Sequence, residues 1–106
     1  MIQDYKFHSF SLRFGVRALH LFEKAKGVPI SKALQDLESI ESQVEFIFCA
    51  AQDYEISNKL EKKVTKDDIF NAYDEVGFTE ATEIIGRGVS QYFTKKNTNQ
   101  GEKITQ

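Results

Sequence analysis

Several residue types that often carry chemistry are scarce in this chain of 106 residues. It has no Trp, a single Cys and two His. One cysteine cannot form an internal disulfide, so we expect a reducing, cytoplasmic setting. A metal site needs three or four converging ligands, and His8 and His20 lie on different predicted elements, with no cysteine or carboxylate at ligand spacing. We therefore predict neither a metal ion nor another cofactor.

Long apolar runs and an excess of basic residues are also missing. No run is long enough to span a bilayer, and none reads as a signal peptide, so we expect no membrane association. The formal net charge of -2 argues against a dedicated nucleic-acid-binding protein. The 41% of hydrophobic and 28% of charged residues are ordinary for a soluble globular protein, and the length suits one domain.

The first part of the chain has the alternating pattern of an extended segment. Apolar side chains alternate with polar ones in two runs of opposite parity, Tyr5 and Phe7, then Phe10, Leu12 and Phe14. The dipeptide His8-Ser9 between the runs is either a turn or a bulge. Because one strand cannot satisfy its own backbone, this segment must form a small hairpin, pair with another chain or lie over helices.

Apolar spacing of three and four residues then predicts about five helices. Their expected starts are near Gly15, at Ser31, at Ser39 or Ser42, at Thr65 and near Thr79. Gly27 and Gly77 stand where C-terminal caps belong, and Pro29 prevents continuation of the first helix. The third helix is apolar nearly all round in its middle, which indicates a central position. Residues 55–64 are polar and predict a loop.

These observations together predict a mainly α protein with a short N-terminal extended or β segment. The helical domain is expected to comprise residues 1–94. The tail of residues 95–106 is polar, has little to bury and is expected to be disordered.

No group of residues in the sequence builds a catalytic centre. Cys49 lies in the most apolar segment, whereas a catalytic cysteine needs a base and an accessible, electropositive setting, so we predict a core residue. Asp67 and Asp68 begin a helix, where carboxylates stabilise the helix dipole. Gly86 and Gly88 lack the spacing of a phosphate-binding loop and are expected to permit a close helix contact or a bend. We predict that the protein is not an enzyme.

The stretch "FSLRFGVRALHLFEKAKGVPI" resembles the N-terminal region of tail assembly chaperones from long-tailed bacteriophages. The positions that carry the resemblance are Phe14, Gly15, Arg17, Ala18, Phe22, Glu23, Lys24, Gly27 and Ile30. The apolar stretch "FIFCAAQDY" and a Thr-capped, acid-rich helix match the family more loosely. The resemblance covers residues 10–76 and weakens beyond Gly77.

The resemblance implies a non-catalytic protein of the bacterial host cytoplasm, encoded by a phage or prophage. Such chaperones bind the tape-measure protein, keep it soluble and help recruit tail-tube subunits. In many phages a frameshift appends a second domain to these chaperones, and we expect this chain to correspond to the short form made without it. The resemblance implies neither nucleic-acid nor membrane partners and leaves a homo-oligomer open.

We predict the partner surface and the role of the junction from the same region. The expected partner-binding residues are Phe10, Leu12, Phe14, Arg17 and Phe46. Gly15 is expected to adopt backbone angles closed to other residues and so to turn the extended segment directly onto the first helix.

Two other functional classes remain open at this point. The first is a generic helical interaction module or transcription-associated adaptor, with a helix-turn-helix in the last two helices. The acidic "DEVGFTEATE" region between those helices disfavours phosphate contact there. The second is a small enzyme subunit, for which the sequence offers no set of catalytic residues.

Overall fold

A computed structural model of the chain describes residues 4–61 and 63–90. Within these ranges a β-hairpin precedes five helices, which confirms the predicted mainly α fold with a short extended segment. The elements are β1 (Asp4–Phe7), β2 (Phe10–Arg13), α1 (Val16–Lys26), α2 (Ile30–Gln35), α3 (Ile40–Ser57), α4 (Lys66–Val76) and α5 (helical at residues 78–90). The predicted polar tail, 95–106, lies outside the described residues.

The hairpin explains the change of parity in the N-terminal pattern. β1 and β2 are antiparallel, with Tyr5 opposite Leu12 and Phe7 opposite Phe10. A two-residue turn at His8 and Ser9 therefore brings the apolar residues of both strands to one face of the sheet. Of the two predicted alternatives for this dipeptide, the structure has the turn.

α3 occupies the centre of the domain, as its nearly continuous apolar surface predicts. It contacts α1, β2 and α4. Aromatic rings fill the space between these elements, with the Phe46 ring centroid 5.3 Å from that of Phe14 and 4.8 Å from that of Phe22. Because aromatic side chains bury large areas, this cluster stabilises the contact of α1 and the hairpin with α3.

Two predicted helix boundaries differ from the structure. α2 begins at Ile30 rather than Ser31, because Pro29 occupies the N-cap position and the Glu23 carboxylate accepts a hydrogen bond from the Ile30 N–H at 2.9 Å. α3 starts after Ser39, whose hydroxyl accepts a hydrogen bond from the Ser42 N–H, but it extends to Ser57 into the predicted loop.

The helix stop and start signals of the rest of the chain are confirmed. Gly27 ends α1 with a φ of 73°, which is the left-handed conformation that favours glycine. Thr65 and Asp68 close a capping box at the start of α4. α5 packs its buried residues, Ala81, Ile84, Ile85 and Gly88, toward the core. Across the described ranges, none of the helices combines the length and apolarity needed to cross a membrane.

Candidate interaction surfaces and the strand-to-helix junction

A buried carboxylate from α3 organises the junction between β2 and α1. Asp53 is fully buried, and its side chain accepts hydrogen bonds from the backbone N–H groups of Gly15 at 3.0 Å and Ala18 at 3.2 Å. The Arg13 guanidinium at 3.1 Å and the Ser57 hydroxyl at 3.0 Å also donate to it. One carboxylate thus satisfies two of the free N–H groups at the start of α1, where no local side chain provides a cap.

The prediction that Gly15 adopts backbone angles closed to other residues is wrong. Its backbone is extended, with φ -95° and ψ -173°, and any residue adopts these angles. A Cβ atom at this position would instead lie 2.5 Å from Arg13 Nη1 and 2.9 Å from Asp53 Oδ2. Glycine is favoured at position 15 because the side chains of Arg13 and Asp53 occupy the space that a Cβ atom would need.

Asp53 is a functional position of the fold that sequence reasoning missed. It follows Phe46 and Ala50 at helical spacing, so it lies on the same buried face of α3. A charged residue in an apolar stripe is rarely fully buried without partners. That mismatch was the available signal. The partners of Asp53, Gly15 and Ala18, lie at the start of α1, which the sequence of α3 does not identify.

A second polar cluster joins the end of α1 to the start of α3. Lys26 Nζ lies 2.6 Å from the Ser42 hydroxyl and 2.9 Å from Asp36 Oδ2, and Ser42 donates to the same carboxylate at 2.9 Å. The hydrogen bond from Lys26, and then that from Ser42, lowers the pKa of Asp36 below its ordinary value. Ser42 is fully buried, so this cluster links helices and does not present a nucleophile to a substrate.

The five predicted partner-binding residues do not share one accessible surface. Leu12, Phe14 and Phe46 are buried in the core, Phe10 is half-buried against it, and Arg17 is exposed. The alternation that singled out the hairpin residues reflects packing against α3. Among the five, only Phe10 and Arg17 are open to a partner of the folded chain.

Cys49 and Tyr73, whose side chains can serve in catalysis, pack into the interior of the described part of the chain. Cys49 is 2% exposed, which confirms the predicted core position, and burial together with the nearby Glu45 charge raises the pKa of its thiol to about 12. The Tyr73 hydroxyl donates to Gln43 at 3.1 Å, and burial raises its pKa. Within residues 4–61 and 63–90 no three His, Cys, Asp or Glu side chains are close enough to share a metal ion.

One accessible surface lies at the start of α1. We call it the α1 basic face; it consists of Arg13, Val16, Arg17 and His20. Val16 is 62% exposed, and the Arg13 guanidinium is already held by Asp53. This face therefore offers one apolar side chain beside one guanidinium that is exposed to solvent.

A second accessible surface is a groove between the first turns of α3 and α4. We call it the α3–α4 groove; it is lined by Ile40, Glu41, Val44, Glu45, Lys66 and Phe70 and has a volume of about 440 Å³. Ile40 is 54% and Phe70 45% exposed, while Val44 is buried. Two large apolar side chains thus stand at the sides of one concave site, which is an arrangement typical of a protein-binding surface.

Electrostatic contacts fix one side of this groove. Lys66 Nζ lies 2.6 Å from Glu45 Oε1 and 5.9 Å from the centre of the Phe48 ring. The hydrogen bond to Glu45 raises the pKa of Lys66 above its ordinary value, so the ammonium stays charged at neutral pH. Glu41 makes no ion pair within the described residues, although its charge also helps to raise the pKa of Lys66.

Comparison of the chain with protein-family models, with curated proteins and with solved structures finds no match.

Proposed function

We propose that the protein is a non-catalytic phage tail assembly chaperone that binds and solubilises the tape-measure protein. In this role it acts in the cytoplasm of the infected bacterium and helps recruit tail-tube subunits. The sequence resemblance over residues 10–76 is the origin of this proposal.

The single observation that carries the proposal is the pair of exposed apolar side chains, Ile40 and Phe70, in one groove. A protein that keeps a long helical partner soluble must cover the partner's apolar residues with apolar surface of its own. The burial of an apolar side chain contributes roughly 1.5–3 kcal/mol. Two such contacts give a binding energy small enough for the partner to be released during assembly.

The residues that carry the resemblance have structural roles that suit a scaffold. Phe14, Ala18 and Phe22 are buried in the core, and Gly27 provides the left-handed C-terminal cap of α1. Glu23 accepts a hydrogen bond from the first N–H of α2. These residues therefore support the proposal by specifying the β2–α1–α2 arrangement, whereas partner contacts belong to the exposed surfaces.

Co-expression with the tape-measure protein of the same phage tests the proposal. We expect that protein to be soluble and to co-purify with this chain, and to be insoluble when it is expressed alone. An unrelated helical rod protein serves as the control, and its solubility should not change.

Two results would contradict the proposal. One is a tape-measure protein that stays insoluble both with this chain and with a longer, frameshifted form. The other is equal solubilisation of the unrelated rod, which would favour the alternative of a generic helical interaction module. Salt-sensitive binding to duplex DNA would favour a transcription-associated role instead.

A further inference from the structure

Acidic residues outnumber basic residues in the lining of the α3–α4 groove. On the α3 side Glu41 and Glu45 line the groove, and on the α4 side Lys66 lines it. Lys66 is bound to Glu45 at 2.6 Å, so its charge is largely neutralised within the groove itself. Two carboxylates thus face one ammonium, and Glu41 is the carboxylate that lies outside the ion pair, beside the apolar walls.

The neighbouring surface of α4 is also negatively charged. Asp67 precedes Phe70 by three residues and Asp74 follows it by four, so both share its side of the helix. Both are exposed, and no ion pair of the described residues involves them. Acidic residues therefore flank Phe70 along the helix on both sides.

We propose that the α3–α4 groove binds an amphipathic helix whose apolar stripe is flanked by Lys or Arg residues. A large apolar side chain of that helix enters between Ile40 and Phe70 and rests on Val44, and its basic residues face Glu41, Asp67 and Asp74. This inference rests on the proposed function only in taking the helix to be a segment of the tape-measure protein.

Charge also decides between this occupant and a second copy of the chain. In a two-fold dimer through the groove, the acidic rim of one copy would face that of the other. Like charges placed in this way oppose association, whereas a basic helix gains from each contact. The groove volume of about 440 Å³ fits a few side chains rather than a whole element. The occupant is therefore the edge of a partner helix.

Binding of two designed peptides to the full chain tests the proposal directly. Both peptides are fluorescent helices of about five turns with the same leucine stripe, flanked in one by Lys and in the other by Glu. We expect fluorescence anisotropy to show that the Lys-flanked peptide binds about tenfold or more tightly than the Glu-flanked one. Raising the salt concentration should reduce that preference.

Variants of the chain then locate the site. The double variant Ile40→Ser, Phe70→Ser should weaken binding of the Lys-flanked peptide by about tenfold or more. Leu60→Ser is the matched control, because Leu60 is 53% exposed but does not line the groove.

Glu41→Lys should remove most of the preference for the Lys-flanked peptide, and Glu61→Lys, at an exposed loop position, should leave it unchanged. Circular dichroism of each variant checks that the helices are retained.

Three outcomes would overturn the proposal. The first is equal binding of the two peptides, and the second is undiminished peptide binding by the double variant. The third is a dimer of the native chain in analytical ultracentrifugation that is absent in the double variant. The peptide assay contains no tape-measure protein, so its result is separate from that of the co-expression test. If co-expression succeeds equally well with the double variant, the proposed function stands and the tape-measure protein does not bind in the groove; if only the peptide assay succeeds, the groove proposal stands and the proposed function fails.

Discussion

At the scale of single residues, glycine is required in two places because another side chain occupies the space that a Cβ atom would need. Gly15 lies beneath the pair of Arg13 and Asp53, and Gly88 lies against the ring of Phe14. Both are buried, and neither has a positive φ. Packing, rather than backbone conformation, selects glycine at these positions.

Gly15→Ala should lower the free energy of unfolding by about 1–2 kcal/mol, the usual effect of overpacking. The new methyl group would crowd Oδ2 of Asp53, whose carboxylate is held in place by four donors, and it would also crowd Arg13, which can partly move away. Urea denaturation measures the change. An unchanged midpoint would mean that the ion pair moves aside without loss, contrary to this account.

Gly88 and Gly86 form a matched pair on α5. Gly88→Ala should destabilise the protein by about 2 kcal/mol, because the methyl group would overlap the Phe14 ring. Gly86→Ala should stabilise it by up to about 1 kcal/mol, because position 86 is open and alanine favours the helix. Thermal denaturation of both variants checks the opposite signs, and the same sign for both would contradict the packing found here.

Residue patterns predicted the core better than they predicted the surface. The alternation of Phe10, Leu12 and Phe14 identified the strand, but an apolar period indicates only that one face is covered, not whether the cover is the chain itself or a partner. Leu12 and Phe14 proved to be covered by the chain. Phe70, by contrast, lies outside the buried face of α4, which contains Ile69 and Ala72, and its exposure depends on how α3 and α4 pack.

At the scale of elements, α1 depends on α3 for its N-terminal cap. α1 has no acidic residue in its first turn and no cap from its own side chains. Asp53 supplies both the acceptors and the negative charge that a helix N-terminus favours. Local sequence could predict where α1 starts, but not this partner, because the cap comes from a distant segment of the chain.

Asp53→Ala should therefore destabilise the protein by about 3 kcal/mol, the lower end of the range for breaking a buried pair. The half-exposed Arg13 can turn to water, but the N–H groups of Gly15 and Ala18 lose their acceptor. Arg13→Ala should have a smaller effect, since the carboxylate keeps three donors. Equal losses of unfolding free energy in the two variants would argue against the capping role.

The C-terminus of α3 contains a residue that is poorly suited to its conformation. Lys59 has a φ of 56°, and the following Leu60 N–H donates to the Glu55 carbonyl at 2.8 Å, as in a glycine-terminated helix. Lys59→Gly should raise the free energy of unfolding by about 1 kcal/mol. Asn58→Gly is the control, because Asn58 has a φ of -102° and gains nothing from glycine. A gain in the control but not in Lys59→Gly would contradict this account.

At the scale of the whole molecule, the cluster of Lys26, Asp36 and Ser42 joins α1, the α2–α3 connection and α3. The pKa of Asp36 is lower in the folded chain than in the unfolded chain. The ionised carboxylate therefore stabilises the fold at pH values above its unfolded-state pKa, and this stabilisation is lost as the pH falls through its folded-state pKa. Between about pH 5 and pH 3, Asp36→Asn should lose less stability than the native chain.

Urea denaturation at several pH values measures this difference. Glu61→Gln, at an exposed position in the loop after α3, is the control and should follow the native pH dependence. An identical slope for Asp36→Asn and the native chain would show that the cluster does not link protonation to stability.

The arrangement of the whole molecule is also where sequence reasoning reached its limit. The number of helices and the caps at Gly27 and Thr65 follow from local patterns, and the structure confirms them; the hairpin is one of the three alternatives that the pattern left open. The α3–α4 groove depends on Ile40 and Phe70, which come together only when two helices pack. Neither residue was predicted as a site, because each alone is an ordinary exposed apolar residue.

The position of Asp53 also constrains how the chain folds as it leaves the ribosome. The hairpin and α1 are synthesised first, but the N–H groups of Gly15 and Ala18 can donate only to water until Asp53 has emerged and the second half of α3 has formed. Local helix formation takes far less time than the synthesis of the intervening residues. We therefore expect the junction between β2 and α1 to reach its native structure only after Asp53 has been synthesised.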